Sequence, residues 1–286
     1  MSFKGKLLRV ANRALGFTGY QLAPILLDFT DRLDDTVDIA RLHRDLARDM
    51  GGYLRQQSIV GANCDFDMER EVASFYEKFL RSPFREITGG SRFNNLLWLF
   101  ILARSIRPSI IVDSGTYWGA SAWALSLGAP DTPIHSFDID LSRLKVRRPN
   151  VEYHEHDWSS FELSGSDVSK GMIYFDDHVD QARRLIEARQ RKFPFAVFDD
   201  DFPVTSFAEM AHDGFSLPKL EFVIDDELRG REQLAWISKG RRRVWKIDHS
   251  QLLSAREAIF ATERLPNTSY ITGIWQTPYR VVAIRP

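Results

Sequence analysis

The 286-residue sequence contains one cysteine, Cys64, so an intrachain disulfide framework is excluded and a reducing cytoplasm is the expected location. It also lacks a long apolar run. The longest, residues 96–103, is far shorter than the about 20 residues that a membrane-spanning helix needs. The formal net charge is only −1, so no overall field draws the chain to nucleic acid. These absences leave a globular protein without a disulfide scaffold or a transmembrane helix.

The composition is that of an ordinary globular protein, with 44% hydrophobic and 27% charged residues. A chain of this length suits one large domain, or one domain with an appendage. It can bury a substantial core.

The first 27 residues carry Lys4, Lys6, Arg9 and Arg13 and no acidic residue. Their apolar residues fit one helical face, and a basic amphipathic helix of this kind can lie on a membrane surface. The favoured alternative is a terminal helix that packs on the body of the protein or on a second subunit. No secretory apolar region with a cleavage site follows, so we expect no signal peptide.

Residues 1–88 are predicted to be helical. Acidic and basic residues alternate around spaced leucines over residues 31–50, and residues 68–80 repeat this amphipathic pattern until Pro83 interrupts it. With no chemistry of its own, this region is expected to form a lid or an oligomer contact. Residues 93–106 are too long and too apolar for one strand, which predicts a buried helix.

From Pro108 onward, short apolar runs alternate with helical stretches. Strands are predicted at residues 110–113, 134–138, 151–154, 172–175, 195–198, 243–247 and 279–284. Helices are predicted at residues 119–127 and 180–192, and residues 220–224 are a short strand or a loop. This alternation predicts an α/β fold with a mostly parallel sheet, covered on both faces, whose late strands form an antiparallel edge.

The first of these strands runs into the sequence VDSGTYWGASA, which has Asp113, Gly115 and Gly119 at a predicted strand-to-helix turn. The two glycines allow backbone approach that a Cβ would block. The spacing is looser than the G-x-G-x-x-G of a pyrophosphate-binding turn, which favours a ligand without pyrophosphate. Many strand-to-helix turns carry two glycines for structural reasons alone.

Acidic residues follow the next two strands. Asp138 lies where a carboxylate grips a ribose diol in such folds. Asp140 is either a second contact or, preferably, a helix cap. Asp157 ends the third strand and could accept a hydrogen bond from an adenine amino group, or simply be a loop acid.

Together these features resemble the class I S-adenosylmethionine-dependent methyltransferases, and within them the metal-dependent O-methyltransferases of the catechol type. The resemblance covers about residues 90–286 and implies a Rossmann-like methyltransferase domain over 89–286. It implies that Asp138 holds the ribose and that Ser121 and the backbone of the turn hold the methionine end. The implied cofactor-binding residues are Asp113, Gly115, Thr116, Tyr117, Gly119, Ser121, Asp138 and Asp157.

Two further acidic stretches, YFDDHVDQ at residues 174–181 and VFDDDFP at 197–203, follow the fourth and fifth strands. Crowded carboxylates repel one another unless a cation relieves the repulsion, and hard divalent metals prefer oxygen ligands. The resemblance, aligned on His178, implies that Asp177, Asp199 and Asp200 bind Mg²⁺ or Mn²⁺. The alternative is solvated loop acids that cap the following helices, Asp180 above all.

One departure from the family concerns the general base, because Asp180 stands where the catechol-type enzymes have a lysine. Either the metal alone acidifies the substrate hydroxyl, or His178 takes the proton, or this chain carries out a different reaction. The implied activity is O-methylation of a small-molecule or sugar hydroxyl, with Asp177 and His178 as the catalytic residues.

Two rival hypotheses remain open from the sequence. One is a hydroxylase-like enzyme, and the other is a non-catalytic protein of the same fold that binds a glycan or a partner through its helical N-terminal region. In every case the protein is either a monomer or a homo-oligomer. Trp98, Trp118 or Trp275 could stack on a ring of the acceptor, although most aromatic residues belong to the core.

Overall fold

The computed structural model describes residues 38–56, 59, 64–86, 90–163, 167–206, 217–225, 228–238 and 241–286. The basic amphipathic segment predicted at residues 1–27 lies outside this part of the chain, and so does the beginning of the helix predicted at 31–50. No helix among the described residues is long and apolar enough to cross a membrane.

The described residues form eight α-helices and nine β-strands, numbered here in chain order. The helices are α1 (Ile39–Gln56), α2 (Met68–Leu80), α3 (Phe93–Ile106), α4 (Ala120–Gly128), α5 (Gln181–Gln190), α6 (Leu220–Ile224), α7 (His249–Ala258) and α8 (Ser269–Thr272). The strands are β1 (Ile111–Ser114), β2 (Ile134–Phe137), β3 (Val151–His154), β4 (Met172–Phe175), β5 (Phe195–Phe198), β6 (Gln233–Ser238), β7 (Arg241–Lys246), β8 (Ile259–Arg264) and β9 (Arg280–Ile284).

Seven strands form one sheet in the order β3-β2-β1-β4-β5-β9-β8. Strands β1 to β5 are parallel to one another, whereas β9 runs antiparallel to both β5 and β8. The predicted fold class, a mostly parallel Rossmann-like sheet of seven strands with an antiparallel edge, is confirmed.

Both faces of the sheet are buried, which explains why the central strands read as continuous apolar runs rather than as alternating ones. On one face, residues of β1, β4, β5 and β9 share a hydrophobic core with α1 to α4. On the other face, α5, α6 and α7 pack against Val112, Ile173 and Ala196. Each central strand therefore presents apolar side chains in both directions, and its polar residues are left to the ends.

Helices α1 and α2 pack against α3 in the core on one face of the sheet. Phe75 of α2 stacks on Phe100 of α3 with 5.0 Å between ring centroids, and Leu46 of α1 lies in the same core. The helical character predicted for this region thus extends over Ile39–Gln56 and Met68–Leu80. The division of the chain at residue 88 stays a prediction.

Two predicted elements differ from the structure. Residues 220–224 form a helix, α6, rather than a strand or a loop, because Leu220, Phe222 and Val223 bury one helical face beside α7. A short apolar run does not distinguish these possibilities. The strand predicted at 243–247 exists as β7 but pairs only with β6 in a separate hairpin, which leaves it outside the main sheet.

The edge strand next to β9 is β8, and the sequence pattern did not predict it. It starts at Ile259, directly after Ala258 ends α7, and most of its residues are only partly buried. With no turn residue between the helix and the strand, the change of element leaves no signal in the sequence.

Candidate functional site

A cavity of about 720 Å³ opens at the carboxyl ends of β1 to β5. Strand order reverses between β1 and β4, and ligands of open α/β sheets bind in the crevice at such a point. The lining residues are Gly90, Ser91, Ser114, Gly115, Tyr117, Phe137, Asp138, Ile139, His156, Asp157, Asp176, Asp177, His178, Val179, Arg184, Asp199, Asp200, Phe202, Trp275 and Thr277.

The glycine turn forms one wall of this cavity. Gly115 has a φ of 106°, and a Cβ there would overlap the backbone carbonyl of Asp176. Gly119 has a φ of 84° and is the N-cap of α4. The backbone N–H groups of Gly115 and Thr116 donate to the carbonyl of Phe137 at 2.9 and 3.1 Å, which ties the turn to the end of β2. Glycine is thus required at position 115 both by φ and by the close approach of β4.

Asp138 lies at the end of β2 and lines the cavity, as a ribose-binding residue would. Its carboxylate accepts hydrogen bonds from the backbone N–H of Tyr117 at 2.7 Å and of Asp140 at 3.1 Å. Asp140 accepts from the N–H of Ser142 at 2.8 Å and is exposed. No helix of the described chain begins there, so the helix-cap role predicted for Asp140 is replaced by a turn.

Asp113 and Thr116 are buried behind the turn and do not line the main cavity. The Ser136 hydroxyl donates to Asp113 at 2.6 Å and lies 2.6 Å from the Thr116 hydroxyl. Burial raises the pKa of Asp113 to about 7, against the opposing effect of the Ser136 and Ser121 hydroxyls. Asp113 therefore supports the turn from inside, and Ser121 lines a smaller adjoining cavity.

Asp157, at the end of β3, is held by an arginine that the sequence analysis did not single out. Two guanidinium nitrogens of Arg184 donate to the two Asp157 oxygens at 3.1 and 2.6 Å. Burial acts to raise the pKa of Asp157, but the hydrogen bonds from Arg184 and Ser159 outweigh it and lower that pKa. Arg184 is 1% exposed and lines the cavity, so it joins the end of β3 to α5.

Asp177 is occupied by other groups of the chain. Its Oδ2 accepts from the Ser114 hydroxyl at 2.6 Å and from Arg184 Nε at 2.8 Å, and its Oδ1 accepts from the N–H of Val179 at 3.1 Å. Both carboxylate oxygens thus already take part in hydrogen bonds that fix the loop after β4.

The residue beside it, Asp176, has the environment that was predicted for Asp177. Carboxylate oxygens of Asp176 and Asp200 and a ring nitrogen of His178 all lie within 4.8 Å of one another. His178 Nδ1 is 3.9 Å from Asp200 Oδ2. Burial and the nearby carboxylates of Asp199 and Asp200 raise the pKa of Asp176 well above its usual value. These donors can surround one divalent cation.

Asp199 lies against this cluster and is fixed in place by the residues around it. Its Oδ1 accepts from the N–H of Asp200 at 2.7 Å and from the Thr277 hydroxyl, and its Oδ2 accepts from the Tyr174 hydroxyl at 3.1 Å. Burial, followed by the charge of Asp200, raises the pKa of Asp199 to about 7. A carboxylate held by so many donors orients its neighbours more readily than it moves toward a ligand.

Strained backbone is concentrated in the cavity wall. Tyr117, His178 and Asp200 have φ values of 45°, 55° and 57°. Residues other than glycine seldom adopt this left-handed conformation, and such strain persists only where surrounding contacts enforce it, often at functional sites. The feature supports a ligand-binding role for this wall independently of its charges.

Asp180, at the position where the catechol-type enzymes have a lysine, is a helix cap. Asp180 is the N-cap of α5, where it accepts from the N–H of Arg183 at 3.0 Å, and its other oxygen accepts from Gln251. The capping role considered for Asp180 is confirmed.

Among the three tryptophans considered for ring stacking, only Trp275 lines the main cavity, where it is 51% exposed. Trp98 is buried and donates from Nε1 to the carbonyl of Pro266 at 3.1 Å. Trp118 packs against Tyr117 with 4.6 Å between ring centroids and borders the smaller cavity.

No family model matches this sequence, and no curated protein matches it. Solved structures do. A candidate O-methyltransferase from Klebsiella pneumoniae is 13% identical, with a TM-score of 0.42 over 86% of this chain and 100% of that chain. The O-methyltransferase TomG from Streptomyces achromogenes, in complex with SAM, is 14% identical, with a TM-score of 0.40 over 79% of this chain and 92% of that chain.

The methyltransferase PaMTH1 from Podospora anserina, bound to SAH, is 14% identical, with a TM-score of 0.36 over 84% of this chain and 95% of that chain. Each of these proteins is similar to this chain over most of its length, at low sequence identity. The seven-stranded sheet is the Rossmann-like fold that the resemblance to class I methyltransferases predicts.

Proposed function

We propose that this protein is an S-adenosylmethionine-dependent O-methyltransferase that uses a divalent metal and acts on a hydroxyl of a small molecule or sugar. The observation that carries the proposal is one cavity that joins two sets of residues. The glycine turn and Asp138 form one side, and Asp176, His178 and Asp200 form the other. Methyl transfer to oxygen needs such proximity, because the methyl donor and the acceptor hydroxyl must lie in line.

The residues of the first side fit a nucleoside with a short charged tail. Gly115 lines the cavity without a side chain, and Asp138 lines it at the end of β2. A carboxylate at this point accepts hydrogen bonds from vicinal ribose hydroxyls. When bound, S-adenosylmethionine supplies an electrophilic methyl group.

The donor set of the second side suits a hard or borderline cation. Two carboxylates and one imidazole favour Mg²⁺ or Mn²⁺. A divalent ion bound there would supply a Lewis acid that lowers the pKa of an acceptor hydroxyl. On this proposal Asp176 takes the role that the sequence alignment gave to Asp177, and Asp199 orients the loop that carries Asp200.

The proton of the acceptor hydroxyl would then pass to solvent, or to His178 where Asp176 and Asp200 alone hold the ion. The His178 ring is 51% exposed and lines the cavity, so it can pass a proton to solvent. Asp180 has no part in this step, since its carboxylate caps α5.

Aromatic side chains line the cavity together with the Asp176–His178–Asp200 cluster. Trp275 is 51% exposed, and Phe202 follows Asp200 by two residues. Aromatic side chains beside a polar centre suit a ring, such as a sugar or an aromatic alcohol, whose hydroxyls point toward the carboxylates.

Calorimetry with S-adenosylmethionine and S-adenosylhomocysteine, with and without Mg²⁺, tests the proposal. Both ligands should bind at one site per chain, and Asp138→Ala should weaken binding by about 1.5–3 kcal/mol, the usual value of a charged hydrogen bond. Asp140→Ala, the exposed neighbour, is the matched control and should bind nearly as the wild type does. Absence of binding by either ligand would contradict the proposal.

One observation favours a second candidate, a hydroxylase-like enzyme. His178 adds a nitrogen donor to Asp176 and Asp200, and a mixed set of this kind can hold Fe²⁺. The set has one histidine and two carboxylates, the reverse of the usual two-histidine, one-carboxylate triad, so methyl transfer is preferred. Iron binding without any S-adenosylmethionine binding would favour the hydroxylase.

Two further parts of the proposal concern the whole chain. Residues 1–88 form a lid or a subunit contact for the domain at 89–286, which is supported by the packing of α1 and α2 against α3. The presence of Cys64 as the only cysteine supports a location in a reducing cytoplasm.

A further inference from the structure

A second group of metal-ligating side chains lies on β2 and β3, apart from the carboxylates of the cavity. His135 of β2 is the register partner of Glu152 on β3, and His154 follows two residues later on β3. Side chains two residues apart on a strand point to the same face of the sheet. The pairing therefore brings His135, Glu152 and His154 together on one face, near the end of the sheet.

The ligand atoms of these three residues are close to one another. His135 Nδ1 lies 3.0 Å from His154 Nε2 and 3.5 Å from Glu152 Oε2, and His154 Nε2 lies 3.8 Å from Glu152 Oε1. Around a tetrahedral zinc ion with bonds of about 2.0–2.1 Å, ligand atoms are about 3.3 Å apart. We propose that His135, Glu152 and His154 form a zinc-binding site.

The chemistry of the donors selects zinc over magnesium. Two imidazole nitrogens and one carboxylate oxygen form a His₂Glu set, which zinc accepts and which leaves a fourth position for water. Glu152 is 66% exposed, so that position faces solvent.

The two histidines are held firmly, whereas the glutamate can adjust. The His154 ring lies 4.5 Å from the rings of both Phe137 and Phe161, and it is 9% exposed. His135 is 16% exposed. Two fixed ligands and one mobile carboxylate can close around an ion without any movement of the sheet.

The position of the site suggests its effect. β3 is an end strand of the sheet and pairs only with β2, so a zinc ion would cross-link the two strands. His156 and Asp157, which follow directly after β3, line the cavity. The zinc would hold the strand that carries part of the cavity wall.

The test uses the full-length chain, made metal-free with a chelator, incubated with Zn²⁺ alone and desalted before metal analysis. To remove the carboxylates of the cavity as competitors, the measurement is repeated with Asp176→Asn and Asp200→Asn combined. About one zinc per chain is expected in both proteins, and Co²⁺ in place of zinc should give the visible absorption of a tetrahedral site.

Glu152→Gln should weaken zinc binding at least ten-fold, and because this side chain is exposed, the variant should fold. Glu155→Gln makes the same charge change three residues further on, outside the cluster, and should bind zinc as the wild type does. His135→Asn is the second ligand variant and should also lose the zinc. Loss of zinc from the variant lacking the cavity carboxylates, or equal affinity in Glu152→Gln and Glu155→Gln, would overturn the proposal.

Discussion

Arg184 Nε donates a hydrogen bond to Asp177 Oδ2 at 2.8 Å. The same guanidinium contacts both oxygens of Asp157, so one side chain from α5 links the ends of β3 and β4. Because its planar head makes all of these contacts at once, an ammonium group cannot replace it. Asp157 and Asp177, which were predicted from the sequence to bind the cofactor and a metal, therefore both pair with one buried arginine.

Arg184→Lys should therefore destabilise the fold although it keeps the charge. In this variant the carboxylates of Asp157 and Asp177 are left partly unpaired next to the cavity, so we expect the free energy of unfolding to fall by about 2 kcal/mol. Urea unfolding measures the change. The control is Arg183→Lys, at the exposed neighbour that pairs with Glu187, where exposed ion pairs contribute about 0–1 kcal/mol. Equal losses in the two variants would contradict the linking role of Arg184.

The two adjacent aspartates should differ in metal binding. Asp176→Asn should abolish tight Mn²⁺ binding, because a charged ligand of the Asp176–His178–Asp200 cluster is lost. Asp177→Asn should keep most of the affinity and lose stability instead, since its carboxylate serves Ser114 and Arg184. Mn²⁺ titration followed by electron paramagnetic resonance compares them. A greater loss of Mn²⁺ affinity in Asp177→Asn than in Asp176→Asn would instead support Asp177 as the metal ligand, as the alignment on His178 implies.

Substitution at Gly115 tests how closely the turn approaches β4. Gly115→Ala adds a Cβ that overlaps the carbonyl of Asp176, so we expect both a lower melting temperature and weakened cofactor binding. Gly230→Ala is the matched control, because Gly230 also has a positive φ, 77°, but has nothing within 4 Å of the added Cβ. Thermal unfolding and calorimetry of the two variants separate the overlap from the cost of φ alone.

The buried Asp113 should make stability depend on pH. Its pKa is about 7 in the folded protein and about 3.8 when unperturbed, so the folded state binds the proton more tightly. Stability from this group is therefore greatest at acidic pH and falls as the pH rises from about 4 to about 7.

Asp113→Asn removes this titration and should raise the melting temperature relative to wild type at pH 8, by several degrees. The gain should shrink as the pH is lowered toward 5. Asp131→Asn, at an exposed aspartate, controls for the general change in charge. A gap between Asp113→Asn and wild type that is the same at pH 5 and pH 8 would show that burial of this carboxyl does not shift its pKa.

Removal of the first helices should expose apolar surface. A fragment that starts near residue 85 lacks α1 and α2 and uncovers the face of α3 on which Phe75 packs, so we expect aggregation or a changed mass in sedimentation. A fragment that starts at residue 38 keeps both helices and should behave better. A soluble and fully active short fragment would contradict a lid or subunit role for residues 1–88.

Elements with a strong apolar signal were predictable to the residue. The bounds of α2, α3, β3, β4 and β5 agree with the sequence prediction because each is a buried or periodic run bordered by polar residues. β8 was missed because it follows α7 without a break and is only partly buried. The 220–224 segment shows the other limit, since five residues are too few to reveal a period.

The candidate site was predictable as a region but not as a set of ligands. Strand ends located the acids at 138, 157, 176, 177, 199 and 200, together with His178, at one edge of the sheet. The choice between Asp176 and Asp177 depends on backbone direction after Phe175, and His178 takes a φ of 55° there. In the sequence, Arg184 is one of several charged residues on a predicted helix, and nothing there indicates that it is buried.

The hydrogen bond from Thr277 to Asp199 has a consequence for the order in which the protein is made. Thr277 lies three residues before β9, the strand inserted between β5 and β8, although most of the cavity is encoded before residue 203. The β9 segment must therefore emerge from the ribosome before Asp199 acquires this partner and β5 its antiparallel neighbour. Until then the nascent chain has its acidic loops but lacks Thr277 and Trp275 of the cavity lining, so ligand binding should begin only after β9 has emerged.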